Sequence, residues 1–331
     1  MAGVSTATVS ATINQSAYVS PELRRRVEEA VQQLGYAPDG VARSLKRGRT
    51  HLIGLIVADI TNPYFTELVH VIEQVAQKAG YSVLLCDADE TFAREADYLR
   101  LMRTHRVDGV ILSPTGRVAD YQNPLYRDPS LPLVVVDRVN PNLHTDAVLV
   151  DNFTAAVDAT RHLLDLGHRR IATITGPMHL LGASERLRGF RSALEDRGLP
   201  LDDNFIRLGN YREADSFDQS MDLFAGADRP TAVFVANNHM LVGVMRALAQ
   251  LGLACPRDVS VVGIDDFAWA NAFTPKLTTV RQPVRDIGET AVRMLLARLN
   301  GTAPPEPVRE TFSSTLMVRE SCAPLEPAKA G

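Results

Sequence analysis

In this 331-residue chain, polar, planar and aromatic side chains recur just after short apolar runs. They are Thr61-Asn62-Pro63-Tyr64-Phe65, Asp137-Arg138, Gly176-Pro177 with Arg186 beyond, Asn237-Asn238 and Gly263-Ile264-Asp265-Asp266. Asp137 and Asp265 can each accept two hydroxyl hydrogen bonds, Arg138 and Arg186 offer planar donor forks, and Asn62 and Asn237 both donate and accept. Tyr64 and Phe65 can cover the apolar C–H face of a sugar ring. Two acids and two arginines cancel, which favours a neutral polyhydroxy ligand over a phosphate. For any single residue the competing reading is helix capping, because Asn237 and Asp265 stand where caps are common.

Paired carboxylates can also hydrolyse glycosides. However, Asp137 and Asp265 are each expected to have an arginine partner. No nucleophile elbow, Walker loop, His-Glu metal motif or strand-linked G-x-G-x-x-G is present. Cys86, Cys255 and Cys322 are an odd, scattered set without metal spacing and are expected as reduced thiols. No enzymatic activity, metal or cofactor is therefore expected. Hydrophobic residues make up 45% of the chain. At about 150 residues per domain the length corresponds to about two globular domains. No apolar run approaches the roughly 18 residues of a membrane helix, and the N-terminus lacks a secretory pattern, so a cytoplasmic protein without a membrane partner is expected.

The elements that must position these groups alternate. Ile53–Val57, Tyr81–Leu85, Gly109–Leu112 and Leu133–Val136 read as buried parallel strands, with helical stretches between the first three, including one from about Tyr64 to Lys78. A second series follows at Ile171–Ile174, Ala232–Val235 and Val259–Val262, with helices near 152–166, 184–197, 214–224 and 238–251. This is an α/β pattern of two doubly wound parallel-sheet lobes. Ligands of such sheets bind beyond the carboxyl ends of the strands, which is where the polar groups fall.

The first 50 residues differ in charge: seven Lys/Arg face four Asp/Glu, a balance of +3, whereas the remainder carries 28 against 35, a balance of −7. A small basic head on an acidic body fits a nucleic-acid-contacting module. Residues 5–14 read as a short helix capped by Ser5, and Ser20-Pro21 opens a second helix whose stripe is Leu23, Val27, Val31 and Leu34, ended by Gly35. A third short segment covers Val41-Ala42-Arg43-Ser44-Leu45.

The head segments Ala2-Gly3-Val4-Ser5, Thr8-Val9-Ser10, Asn14, Val19-Ser20, Gly35-Tyr36-Ala37-Pro38 and Ala42-Arg43-Ser44-Leu45 resemble the lactose-repressor (LacI/GalR) family of bacterial transcription regulators. The body motifs Asn62-Pro63-Tyr64-Phe65, Arg106-Val107-Asp108-Gly109, Gly167-His168-Arg169-Arg170-Ile171, Arg186-Leu187-Arg188-Gly189-Phe190 and Pro256-Arg257-Asp258-Val259 do so as well. The resemblance implies a recognition helix over 5–14, with Ser5, Thr6, Ala7, Thr8, Ser10 and Asn14 at the major groove. It implies a hinge helix over 39–46, with Ala42, Arg43 and Leu45 at the minor groove, Leu45 as the wedge. Family members carry a further helix before Ala2, so the head is expected to be a partial helix-turn-helix, and Ala11 stands where Arg or His is usual.

For the body the resemblance implies a periplasmic-binding-protein-like type I sensor with the ligand in the cleft between two lobes. Asn62, Tyr64 and Phe65 match first-lobe contacts of ribose-type sites. Asp137 and Arg138 match that site's acidic-basic pair, and Arg186, Asn237 and Asp265 match second-lobe contacts. Gln282 sits at a crossover that reaches the sugar, and Tyr211 falls where an aromatic lies against the ligand. Purine-sensing members carry an aromatic in place of the basic residue, so Arg138 points towards a sugar. The expected domains are a head at 1–37, a hinge helix and linker at 38–50, one lobe from 51–150 with 283–312, a second from 151–282 with 313–325, and a loose tail at 326–331. The expected function is a homodimeric, DNA-binding transcriptional repressor. A small neutral sugar, such as the pentose ribose, would control its affinity for a roughly palindromic operator. The alternative is a sugar-binding module that does not grip DNA.

Overall fold

The computed structural model describes residues 2–14, 17–35, 49–226 and 228–325. It divides into two compact units, Met1–His51 and Leu52–Gly331. In the first, α1 (Thr6–Asn14) is capped as expected: Ser5 Oγ accepts the Thr8 amide at 3.2 Å. The second helix, α2 (Pro21–Leu34), starts with Pro21 in the first turn and ends at Gly35, whose φ of 57° is the left-handed conformation glycine tolerates. Ser20 occupies the N-cap position of α2 but makes no side-chain cap bond. Of the expected stripe Val27 is buried, while Leu34 is 55% exposed. The expected hinge residues Ala42, Arg43 and Leu45 lie outside the described residues, as does the tail 326–331.

The second unit holds two six-stranded sheets. The first has the order β11-β5-β4-β3-β1-β2, with β1 (Leu52–Val57), β2 (Ser82–Asp87), β3 (Gly109–Leu112), β4 (Leu133–Val136), β5 (Asp146–Val150) and β11 (Arg309–Phe312), all parallel. The second has the order β12-β10-β9-β8-β6-β7, with β6 (Ile171–Thr175), β7 (Ile206–Leu208), β8 (Ala232–Val235), β9 (Ser260–Ile264), β10 (Thr278–Arg281) and an antiparallel β12 (Thr315–Met317). The central strands are mostly apolar because helices cover both faces, with buried Ser260 in β9 and Thr173 and Thr175 in β6 as exceptions. In lobe 1, α3 (Pro63–Lys78) and α9 (Val284–Leu299) cover one face and α4 (Phe92–Thr104) the other. In lobe 2, α7 (Glu213–Ala225) and α8 (Asn238–Gln250) oppose α5 (Asn152–Asp165) and α6 (Leu181–Glu195). The chain crosses between the lobes after β5, after β10 and between β11 and β12. The sequence pattern missed β5, β7 and β10 to β12, which are short or polar at alternate positions.

Residues 323–325, expected at the end of the second lobe, are tied down. His168 is buried and bonds Thr231 Oγ1 at 2.9 Å and the Ala323 carbonyl at 3.1 Å, and the Leu325 amide donates to the Leu166 carbonyl. Among the described residues no helix is long and apolar enough to cross a membrane.

One buried acid organises lobe 1. Glu95, on α4, is fully buried and accepts four hydrogen bonds: from Thr115 N and Oγ1 at 2.7 Å, Tyr121 Oη at 3.0 Å and Tyr126 Oη at 2.9 Å. It thereby fastens the loop after β3, whose Pro114 carbonyl reaches Arg138. Each buried donor left unsatisfied costs about 1–3 kcal/mol. Glu95→Ala strands several of these neutral donors at once and is therefore expected to lower unfolding stability by about 2–5 kcal/mol. Urea denaturation measures this; a loss below about 0.5 kcal/mol, the size of a neutral surface change, would show that the loop does not hang on Glu95.

Candidate functional site

The carboxyl ends of both sheets face one cleft of about 480 Å³, counting the part open to solvent. All ten expected ligand residues line it: Asn62, Tyr64, Phe65, Asp137, Arg138, Arg186, Tyr211, Asn237, Asp265 and Gln282. Asp59, Glu90, Asn152, Leu180 and Gly182, which sequence reasoning missed, line it too. Asp59 follows β1 and Glu90 follows β2, strands the sequence pattern did give, so the strand-end rule could have reached them; Asn152 follows β5, a strand that pattern missed. His179 is exposed and outside the lining, whereas its neighbour Leu180 is in it; Trp269 instead packs on Phe267 and Phe273.

The asparagines serve both readings at once. Asn62 caps α3 and Asn237 caps α8, each through Oδ1 to a backbone amide, at 2.8 and 2.9 Å. Their amide nitrogens remain as donors. The acids sit on unusual backbone: Asp137 has φ 65° and Asp265 φ 72°, left-handed conformations that are uncommon outside glycine and concentrate at functional sites. A hydrogen bond from the Arg138 amide to the Val136 carbonyl closes a tight turn around Asp137. Burial pushes both carboxyl pKa values above the ordinary 3.8, and neighbouring arginines offset part of that shift. Burial likewise raises the phenols of Tyr64 and Tyr211, so both stay neutral near pH 7.

Arg138 is held on every edge. Glu90 accepts from Nη1 and Nη2 at 2.6 Å each, Asp137 Oδ2 lies 3.3 Å from Nε, and the rings of Phe65 and Tyr211 flank it at 6.0 and 5.5 Å. Arg186 donates Nε to Asn152 Oδ1 at 2.7 Å and Nη1 to the Ala236 carbonyl. The expected arginine partner of Asp265 is corrected: its bonded partner is Gln282 Nε2, with Arg186 acting through space. The charge count of two acids against two arginines is corrected as well, since Glu90 and Asp59 add negative charge. The ring of Tyr211 lies on Gly176, where a Cβ would come within 2.3 Å of it.

Among the described residues, three contacts cross the cleft. Asn238 Nδ2 donates to Asn62 Oδ1 at 3.0 Å, and Arg212 reaches Asp89 at 2.7 Å and Asp59 at 3.7 Å. The third is Tyr211 against Arg138. Asn238 thus joins the lobes. Tyr64 Oη and Gln282 Oε1 are buried and meet no partner, so each is available to a bound molecule. Among the described residues no cluster of His, Cys, Asp and Glu is arranged to hold a metal.

In the head unit Ser5, Thr6 and Ala7 are exposed, and Thr8 and Ser10 half-buried. The Ser5 and Thr8 hydroxyls bond each other at 2.9 Å. Asn14 ends α1, and its side chain lies outside the described residues.

Comparison with known proteins agrees with this architecture. Residues 1–39 match the model for bacterial regulatory proteins of the lacI family, and residues 160–322 match a periplasmic binding protein-like domain. The chain is 38% identical to the ribose operon repressor of Escherichia coli over 299 residues, 90% of this chain and 91% of that protein. It is 35% identical to the HTH-type transcriptional repressor PurR of Photobacterium profundum, over 98% of this chain and 97% of that one. Its fold matches the lac repressor dimer bound to operator and the anti-inducer ONPF with a TM-score of 0.86, at 28% identity and over 97% and 96% of the two chains. The chain therefore belongs to the lacI family of bacterial regulatory proteins: a DNA-binding transcription regulator with an effector-binding body, and not an enzyme.

Proposed function

We propose that this regulator is a repressor controlled by a small neutral sugar, most simply a pentose such as ribose, bound in the cleft between its lobes. The observation that carries this reading is the cleft itself. Carboxylates, committed guanidinium groups, amide donors and aromatic rings from both lobes surround one space, with Tyr64 Oη and Gln282 Oε1 unpartnered there. Asp137, Asp265, Arg186, Asn62, Asn237 and Gln282 bond the hydroxyls, Tyr64, Phe65 and Tyr211 cover the ring, and Arg138 supports Asp137. The likeness to a ribose operon repressor supports a sugar; the likeness to PurR makes a purine base the second reading, with the same rings as stacking surfaces.

The protein acts in the cytoplasm as a homodimer on operator DNA. Ser5, Thr6, Ala7, Thr8, Ser10 and Asn14 are the proposed major-groove contacts, and Ala42, Arg43 and Leu45 the proposed minor-groove contacts. The alternative of a sugar-binding module without DNA binding predicts no retarded complex in gel shift on the DNA upstream of its own gene.

Isothermal titration against pentoses, hexoses and purine bases tests the effector. Tight binding confined to a purine or a phosphosugar refutes the sugar. Each hydrogen bond to a charged group is worth about 1.5–3 kcal/mol, so Arg186→Ala is expected to weaken sugar binding roughly 10- to 100-fold while the circular-dichroism melt stays cooperative; unchanged affinity would remove Arg186 from the site. The pH dependence has a definite sign. Sugar hydroxyls donate to ionised Asp137 and Asp265, so the ligand prefers the deprotonated forms. Because burial raises both carboxyl pKa values, affinity is expected to fall as the pH drops through the raised values, with proton release on binding in that range. Affinity that rises on acidification would contradict these roles.

A further inference from the structure

We infer that Glu90 sets the charge specificity of the cleft, occupying the fork of Arg138 so that anionic sugars are excluded and uncharged ones admitted. The inference rests on the sugar reading and assigns a role to a residue outside it. Arg138 and Glu90 are 8% and 14% exposed, and both carboxylate oxygens meet the guanidinium at 2.6 Å. That fork is the geometry with which an arginine would otherwise grip a carboxylate or phosphate on a ligand. With Nε beside Asp137, Nη1 also near the Pro114 carbonyl at 3.4 Å, and a ring on either side, Arg138 has little left for an anion. Arg186 is committed through Nε and Nη1. An anionic ligand would have to displace Glu90 and would face Asp59, Asp137 and Asp265 as well.

The backbone shows that Glu90 is held there against its own preference. Asp89 and Glu90 have φ of 49° and 54°, where non-glycine residues are uncommon. The loop is pinned by the Glu90 amide to the Ala58 carbonyl at 2.7 Å, by Thr91 Oγ1 to the Asp89 carbonyl at 3.0 Å, and by Arg212 from the opposite lobe. Strain that persists because its surroundings over-determine it is a mark of function. Glycine would be the unstrained choice, and it would leave the fork of Arg138 open.

Titrating D-ribose, D-ribonate and ribose 5-phosphate into the full-length chain, Glu90→Gln and Glu90→Gly tests this. The glycine variant relieves the backbone strain and so guards against misfolding. The wild type is expected to bind ribose and to bind both anions at least about 100-fold more weakly. Either variant is expected to narrow that ratio by roughly tenfold or more as the fork opens to the anion. A merely structural Glu90 would weaken all three ligands alike and leave the ratio unchanged, which would overturn the inference. So would wild-type binding of an anion as tight as that of ribose. If the wild type binds no neutral sugar and the variants gain affinity for the anions, the charge role stands and the sugar reading fails.

Discussion

Charge buried between two lobes has to be paired, either by the protein or by what the protein binds. This constraint organises the cleft. Asp137, Asp265, Glu90 and Asp59 bring more negative charge than Arg138 and Arg186 neutralise, and Arg212 enters from the lobe opposite Asp59 and Asp89. Satisfying these groups requires residues of both lobes, so the lobes are electrostatically dependent on each other. On the proposed reading, a molecule that offers hydroxyl donors to the acids enters on terms that an anion cannot match.

The same pairing supplies a way to sense occupancy. The Asn238–Asn62 bond, the Arg212 bridge and the Tyr211–Arg138 contact each join one lobe to the other. A ligand bonded to both lobes adds to this set and biases their spacing, and three chain crossings are the hinges that such motion would use. Coupling between two sites in such systems is typically 1–3 kcal/mol, comparable with one or two of these contacts.

Much of this was legible in the chain, for a physical reason. Buried parallel strands must be nearly all apolar, so the polar residues that follow each run stand out: Asn62, Asp137, Arg138, Asn237 and Asp265 were legible in this way, whereas Tyr211 and Gln282 were indicated only by the family resemblance, and all of them line one space. The unread parts have physical reasons too. β5 and β7 to either side were too short or too mixed to read as strands, and without β5 there was no reason to single out Asn152, which orients Arg186. Glu90 was passed over because its importance lies in its partner, 48 residues further along the chain. Asp265 lost its expected arginine to Gln282 because the crossover after β10 delivers that side chain to it, a long-range pairing that spacing does not encode. Gly176 looks like a turn residue; its packing under Tyr211 emerges only in three dimensions.

At the centre of the account is one statement: occupancy of the cleft changes the grip of the head on DNA. Fluorescence anisotropy of the full-length protein on the DNA upstream of its gene, with and without a saturating neutral sugar shown by calorimetry to bind, measures it directly. The operator Kd is expected to shift by roughly 5- to 150-fold, the range of typical coupling energies. Identical Kd values with the cleft demonstrably filled would contradict it.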